Sequence, residues 1–214
     1  MTPPRRGRFI TFEGGEGGGK STQIKRLAEW LEARGIAVTT TREPGGTEGA
    51  ERIRALLVAG EVAAWQPMSE ALLHYAARAD HVARVVAPAL ASGRWVLCDR
   101  FADSTVAYQG YGHGLGRARI VRLHALVLGR FKPDLTFIFD LAVDKGLARA
   151  ASRAGDETRY ERMAASFHAR VRRGFRAIAR AEPRRCVLLD AGQDIETIGR
   201  AVQAALVRRR WIGA

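Results

Sequence analysis

Apolar residues recur along this chain in two rhythms, short continuous runs and runs spaced three or four apart, and the two alternate from end to end. Phe9-Ile10-Thr11-Phe12 is a compact apolar run. A glycine-rich stretch follows it, and then Ile24, Leu27, Ala28 and Leu31 recur at helical spacing. This predicts strand, loop and helix. Gly35 sits where a helix C-cap belongs, and the β-branched Ile36 to Thr41 reads as a second strand. Helix is expected from Thr47 to about Ala59, with Ile53, Leu56 and Leu57 as its buried stripe. A longer helix is expected from Ser69 to about Ser92, carrying Leu72, Leu73, Tyr75, Ala76, Val82, Val85, Val86 and Leu90, with Pro88 set to kink it. Trp95-Val96-Leu97-Cys98 is continuous, as expected of a parallel strand covered on both faces, and it ends in Asp99-Arg100.

Phe101 to Gly116 is rich in glycine and aromatics and is expected to be a binding loop. Helix follows near Arg117 to Gly129, then a strand from Leu135 to Asp140 and a helix from Val143 to about Ala151. A breaker, Ala154-Gly155-Asp156, precedes a helix from about Glu161 to Ala181, and the chain closes with strand Cys186 to Asp190 and helix Ile195 to Arg209. Strands separated by helices throughout imply an α/β fold: a mainly parallel sheet of about five strands with helices on both faces. Residues 1–7 read as a disordered lead-in and 8–214 as a single domain.

The first loop carries chemistry. Gly14-Gly15-Glu16-Gly17-Gly18-Gly19-Lys20-Ser21-Thr22 fits the phosphate-cradling pattern G-x-x-x-x-G-K-[ST], with Lys20 for the β- and γ-phosphates of a nucleoside triphosphate and the Ser21 hydroxyl for Mg²⁺. Backbone N–H groups converge on a phosphate only where the chain takes positive φ and comes close, which favours glycine. The helix starting at Lys20 adds the attraction of its N-terminus for anions. A flexible linker of this composition would not be expected between a buried strand and an amphipathic helix.

Charge and composition narrow the picture less. The chain has 214 residues and a net charge of +13, with 47% hydrophobic residues. The positive balance suits a nucleic-acid binder, but equally an enzyme whose ligands carry several phosphates. The basic residues are spread along the chain, with the densest cluster, Arg208-Arg209-Arg210, at the end of the last helix. No apolar run approaches a bilayer span and no signal peptide precedes the first strand, so a cytoplasmic protein without membrane partners is expected. Cys98 and Cys186 lie in strand-like runs and read as buried hydrophobes.

In parallel sheets, ligands bind at the carboxyl ends of the strands. Arg42, at the end of the second strand, and Asp99-Arg100, at the end of the third, therefore point toward the crevice of the glycine loop. There Arg100 would clamp a phosphate and Asp99 would hold Mg²⁺ through water. Asp140, ending the fourth strand, is the weaker metal candidate. Arginines at Arg149, Arg153 and Arg159 bracket the glycine-containing break, so a mobile segment at about 149–161 could act as a lid that excludes water from phosphoryl transfer.

Three stretches carry a family resemblance. Asp99-Arg100-Phe101-Ala102-Asp103-Ser104-Thr105-Val106-Ala107-Tyr108-Gln109-Gly110 resembles the thymidylate kinase signature. Arg42-Glu43-Pro44-Gly45-Gly46-Thr47 and Tyr75-Ala76-Ala77-Arg78 resemble two further motifs of that family, in its order and with similar spacing. The resemblance implies a P-loop nucleoside monophosphate kinase-like fold and ATP-dependent phosphorylation of dTMP to dTDP in dTTP synthesis. It also implies Mg²⁺ and a homodimer with a helical interface, and no nucleic-acid partner. By resemblance Arg100 and Arg42 hold the acceptor phosphate and Glu16 faces the sugar 3′-hydroxyl. Arg78 and Gln109 address the thymine edge with Thr105 or Ser104 nearby, and Tyr108 lies under the deoxyribose. The loop interior lacks arginine, so the chain resembles the members whose catalytic arginine is in the lid, with Arg149, Arg153 and Arg159 as candidates. Where most relatives stack phenylalanine on the thymine, this chain places His74; where relatives often have Asp-Arg near the lid, it has Thr158-Arg159. A kinase for another nucleoside monophosphate and a nucleotide-regulated nucleic-acid binder are the competing readings.

Overall fold

The computed structural model describes residues 6–152 and 159–213. Its five strands are β1 (Phe9–Gly14), β2 (Val38–Arg42), β3 (Trp95–Asp99), β4 (Leu135–Asp140) and β5 (Cys186–Asp190). They form one sheet in the order β2-β3-β1-β4-β5, parallel at every pairing. The expected sheet is therefore present, and β1 lies at its centre between the strands that end in Asp99 and Asp140.

Alternate β1 side chains go to opposite faces, as the pleat requires. On one face Ile10 and Phe12 pack with Ile24, Leu27 and Leu31 of α1 (Lys20–Glu32) and with Ile198, Val202 and Leu206 of α9 (Ile195–Arg208). On the other, Phe9, Val96 and Cys98 meet Val82, Val86 and Leu90. Farther along that face Ile138 packs with Phe167, Val171 and Phe175 of α8 (Ala165–Ala181). Both cysteines are buried and free, in keeping with the sequence.

The second helical layer differs from expectation in three places. Helix α2 (Glu48–Val58) buries Leu57, but Leu56 is 52% exposed; in α3 (Pro67–His81) Leu72 is 51% exposed. The long helix does not run unbroken to Ser92. A π-type turn, Val82–Val86, joins α3 to α4 (Ala87–Ala91) and ends two residues before Pro88, whose missing N–H and ring cannot join the regular ladder. The stretch expected to be a loop is helical: α5 (Ala102–Thr105) widens into a π-type turn, Val106–Gly112, and most of it is buried. Gly112 is required there, since a Cβ would lie 2.7 Å from the Phe167 ring. Helices α6 (Arg117–Leu128) and α7 (Val143–Ala151) fall where predicted.

Residues 6 and 7 depart from the disordered lead-in. Gly7 N donates to Leu90 O at 2.9 Å and Arg6 Nη1 to Asp134 at 3.2 Å, anchoring the chain just before β1. Among the described residues no helix is long and apolar enough to cross a membrane.

Candidate active site

The glycine loop joins β1 to α1 at the carboxyl edge of the sheet. Gly14, Gly17 and Gly19 take φ of 137°, 65° and 80°, a region in which side chains are strained. At Gly17 a Cβ would also strike the Gly146 carbonyl of α7 at 2.2 Å, so the loop is wedged against that helix. Lys20 opens α1; its buried Nζ donates to Gly15 O at 2.9 Å. Burial lowers the Lys20 pKa, and the Arg100 cation lowers it further. Ser21 and Thr22 follow on the exposed side of the first turn.

The neighbouring strand end meets this loop directly. Pairing puts Phe12 of β1 opposite Asp99 of β3, and Ser21 Oγ donates to Asp99 Oδ2 at 2.9 Å. The next residue, Arg100, holds φ 67°, an uncommon value for a residue with a side chain. That backbone is pinned because Arg100 N donates to Phe12 O at 2.9 Å. The guanidinium turns to the loop, where Nη1 donates to Gly14 O at 2.8 Å and Nη2 to Glu16 Oε1 at 2.9 Å.

Glu16 is the hub of this corner, also accepting from Tyr108 Oη at 2.7 Å. Burial alone would raise its pKa, but Arg100, Lys20 and the Tyr108 bond overcome it and hold the carboxyl down at about 2. It is an acceptor and an anion at neutral pH. Arg100 also lies over the Tyr108 ring, 5.1 Å from its centroid.

Beside this corner opens a cavity of about 120 Å³. Its walls include Glu16, His74, Arg78, Arg100, Ser104, Thr105, Tyr108 and Gln109, all predicted from the sequence. Arg78, 2% exposed, donates through Nε to Glu43 at 2.7 Å and through Nη2 to Thr105 Oγ1 at 3.1 Å. Its Nη1 has no protein partner. Ser104 Oγ donates to Glu13 Oε2 at 2.5 Å. His74 Nε2 lies 2.9 Å from Tyr160 Oη, and burial, with Arg78 nearby, lowers its pKa to about 3, so the imidazole is neutral.

Three residues of the site were missed in the sequence. Arg54 lines the cavity and donates to Pro44 O at 2.9 Å; burial, then Arg42 and Arg100, lower its pKa. Its signal was a cation four residues after the buried Ala50 and three before the buried Leu57, on the inward side of α2. Glu43 is buried beneath Arg78 and His81. Glu13, buried on β1, accepts from Phe101 N at 2.8 Å and from Ser104. Burial and the nearby Asp103 raise its pKa to about 8. Arg42 stands at the rim, with its side chain 56% exposed and bonded to Glu51 at 3.0 Å.

The three arginines expected in a lid do not stand alike. Arg149 on α7 lies against the loop, its Cβ 3.0 Å from where a Cβ on Gly17 would stand, and its Nη1 donates to Ala191 O at 3.0 Å. Arg153 lies outside the described residues. Arg159 corrects the expectation: it is fully buried, donating to Leu57 O at 3.0 Å, to Val62 O at 2.9 Å and to Glu70. A guanidinium so enclosed is a structural group here, not a free catalytic one. Asp140, the weaker metal candidate, is held by Arg172 at 2.6 Å and 3.1 Å.

Comparison with known proteins places this geometry. Residues 12–202 match the family model described as thymidylate kinase. The thymidylate kinase of Caulobacter vibrioides is 52% identical over 203 residues, covering 95% of this chain and 97% of that protein. That of Geobacter sulfurreducens is 50% identical over 208 residues, covering 95% and 98%. Among solved structures, the crystal structure of thymidylate kinase from Ehrlichia chaffeensis superposes with a TM-score of 0.75 at 38% identity, covering 94% of this chain and 98% of that one.

Proposed function

This chain belongs to the thymidylate kinase family and phosphorylates dTMP to dTDP with ATP, a step of dTTP synthesis, and we propose that the cavity and the glycine loop divide the two substrates between them. The triphosphate of ATP lies in the loop, on the N–H groups of residues 14–19 and on Lys20, with Thr22 at the outer edge of the first helical turn. The monophosphate of dTMP lies on Arg100, with Arg54 and Arg42 behind it. The base lies among His74, Arg78, Thr105, Ser104 and Gln109. Tyr108 lies against the deoxyribose and Glu16 near its 3′-hydroxyl.

One observation carries this reading: Arg100 is bonded both to the loop, at Gly14 O, and to Glu16 in the cavity wall, at 2.8 Å and 2.9 Å. Phosphoryl transfer demands positioning and charge neutralisation more than covalent chemistry. A cation fixed at that seam serves both demands, since the transferring group must cross it. Arg149, poised over the loop, and Arg153 are the proposed transition-state cations.

Family kinases of this kind generally need a divalent metal, and Mg²⁺ is proposed at Ser21 and Asp99. Their bonded oxygens form a hard, oxygen-only donor set at the edge of the loop, which suits an ion that keeps several of its waters. When bound, the ion would neutralise charge on the phosphates.

A homodimer is part of the same proposal. Leu56 of α2, Leu72 of α3 and Leu126 of α6 are 52%, 51% and 83% exposed, and a second copy would cover such a helical face. A cytoplasmic location fits a kinase that draws on ATP and a nucleoside monophosphate.

Coupled assays with dTMP, dUMP, dCMP, dGMP and AMP test the acceptor. dTMP should lead, and dUMP should be a poorer but real substrate, because a methyl group in an apolar pocket is worth about 1–3 kcal/mol. A purine preference would overturn the assignment. Lys20→Ala should reduce turnover by about 10² to 10³ or more, the usual cost of losing one preorganised charge donor.

A further inference from the structure

The cavity wall contains an amide whose orientation is fixed from behind. Gln109, 1% exposed, sits in the π-type turn that follows α5. Its Nε2 donates to Glu70 Oε1 at 2.6 Å, while its Oε1 has no protein partner. Glu70 is on the first turn of α3 and is fully buried. Its second oxygen takes the Arg159 guanidinium, and its first also lies 3.1 Å from His113 Nε2. Burial alone would raise the Glu70 pKa; the contacts with His113, Arg159 and Gln109 outweigh it and bring it to about 2.

An ionised carboxylate can only accept hydrogen bonds. It therefore decides which way round the amide sits, because only the NH₂ end can face it. Arg159 in turn holds the carboxylate still, being itself anchored to the carbonyls of Leu57 and Val62. The oxygen of Gln109 is the amide atom left without a protein partner, in a residue that lines the cavity. In the same wall, Arg78 Nη1 is a buried donor without a protein partner.

We propose that Glu70 is the positioning residue for base selectivity: it presents Gln109 as an acceptor, which suits a pyrimidine carrying hydrogen on N3 and opposes one whose N3 is a bare acceptor. Thymine and uracil have that N3–H beside a carbonyl that Arg78 can satisfy. Cytosine offers a lone pair at N3 and an amino group in place of the carbonyl, so both wall atoms meet their own kind. A free amide could turn over to suit either base. Glu70 removes that freedom, and a buried polar group left facing its like costs far more than a lost contact. This rests on the reading that Gln109 addresses the base.

The test compares kcat/KM for dTMP and dCMP in the full-length enzyme and in three variants. Gln109→Leu tests the underlying reading: if the dTMP/dCMP ratio is unchanged, Gln109 does not read the base, and the reading and the inference fall together. Glu70→Gln tests the inference, since a carboxamide can pair with either end of Gln109. The ratio should fall about tenfold or more through the KM values of the acceptors, with the KM for ATP unchanged. Because Glu70→Gln leaves Arg159 without its counter-charge, the double variant Glu70→Gln/Arg159→Gln, which removes both charges, should show the same fall. A collapse of selectivity in Gln109→Leu, with wild-type selectivity in either folded Glu70 variant, would refute the role of Glu70 and leave that of Gln109 standing.

Discussion

Ser21 and Asp99, 78 residues apart in the chain, are joined by a hydrogen bond of 2.9 Å between the first turn of α1 and the end of β3. The bond exists because β3 pairs directly with β1, so the strand that launches the glycine loop and the strand that ends in Asp99-Arg100 finish side by side. The glycine loop and the Asp99-Arg100 strand end thereby share one edge of the sheet.

Arg100 combines a left-handed backbone with a guanidinium bonded to Gly14 O and Glu16, and two substitutions separate the two features. Arg100→Ala should raise the KM for dTMP, and an unchanged KM would remove Arg100 from the acceptor site. Arg100→Gly should be as defective in catalysis yet more stable than Arg100→Ala, by about 1 kcal/mol, because glycine adopts a φ of 67° without strain. Denaturant titration of the two variants measures the difference; equal stability would mean that the turn carries no strain.

The three arginines expected in a lid should divide by phenotype. Arg149→Ala and Arg153→Ala are expected to lower kcat with little change in the KM for dTMP, the pattern of a contact made only in the transition state. Arg159→Ala should instead lose about 3–5 kcal/mol of stability, since it strands the buried Glu70 carboxylate. Steady-state kinetics and thermal melts on the same preparations decide it. A stable Arg159→Ala with depressed kcat would return Arg159 to the catalytic set.

Glu13 predicts a pH dependence of stability. Its folded-state pKa of about 8, raised by burial and by Asp103, exceeds the ordinary 4.5, so between those values the native protein holds a proton that the unfolded chain has released. The stabilisation is complete below the unfolded value and is lost as pH rises through the folded one. Denaturation midpoints should therefore fall from about pH 5 to about pH 8.5, and fall less in Glu13→Gln. Parallel profiles for the two proteins would show that Glu13 is ionised throughout.

His74→Phe should keep activity or lower the KM for dTMP, because phenylalanine buries more apolar area against a base. The variant should nevertheless lose about 1 kcal/mol of stability, as Tyr160 Oη loses its partner at 2.9 Å. A collapse of kcat would give the histidine a role of its own.

Some of this architecture was legible in residue order and some was not. The phosphate loop and the five strands could be read because each is a local pattern: glycines where backbone must turn back, apolar runs where both faces are covered. Arg54, Glu43 and Glu13 escaped because a polar residue in an amphipathic or buried element looks the same whether it faces solvent, a ligand or a buried partner. Phe101 to Gly116 lines the cavity as a binding segment should, but it is helical where a loop is expected. Its glycines suggest a loop, whereas Gly112 is there to let the Phe167 ring approach. The outward-facing Leu56 and Leu72 likewise satisfy helical periodicity while lying on the exposed side of their helices.

The sequence by itself determined the strand, loop and helix that bind a triphosphate, the parallel αβ order, and the Asp99-Arg100 corner, because these follow from backbone sterics and from short-range periodicity. Only the tertiary structure decided which arginines border the loop and the cavity and which are enclosed. It set Arg100 between the glycine loop and the cavity wall and buried Arg159 against Glu70, since the fate of a charged side chain depends on what remote segments bring to it.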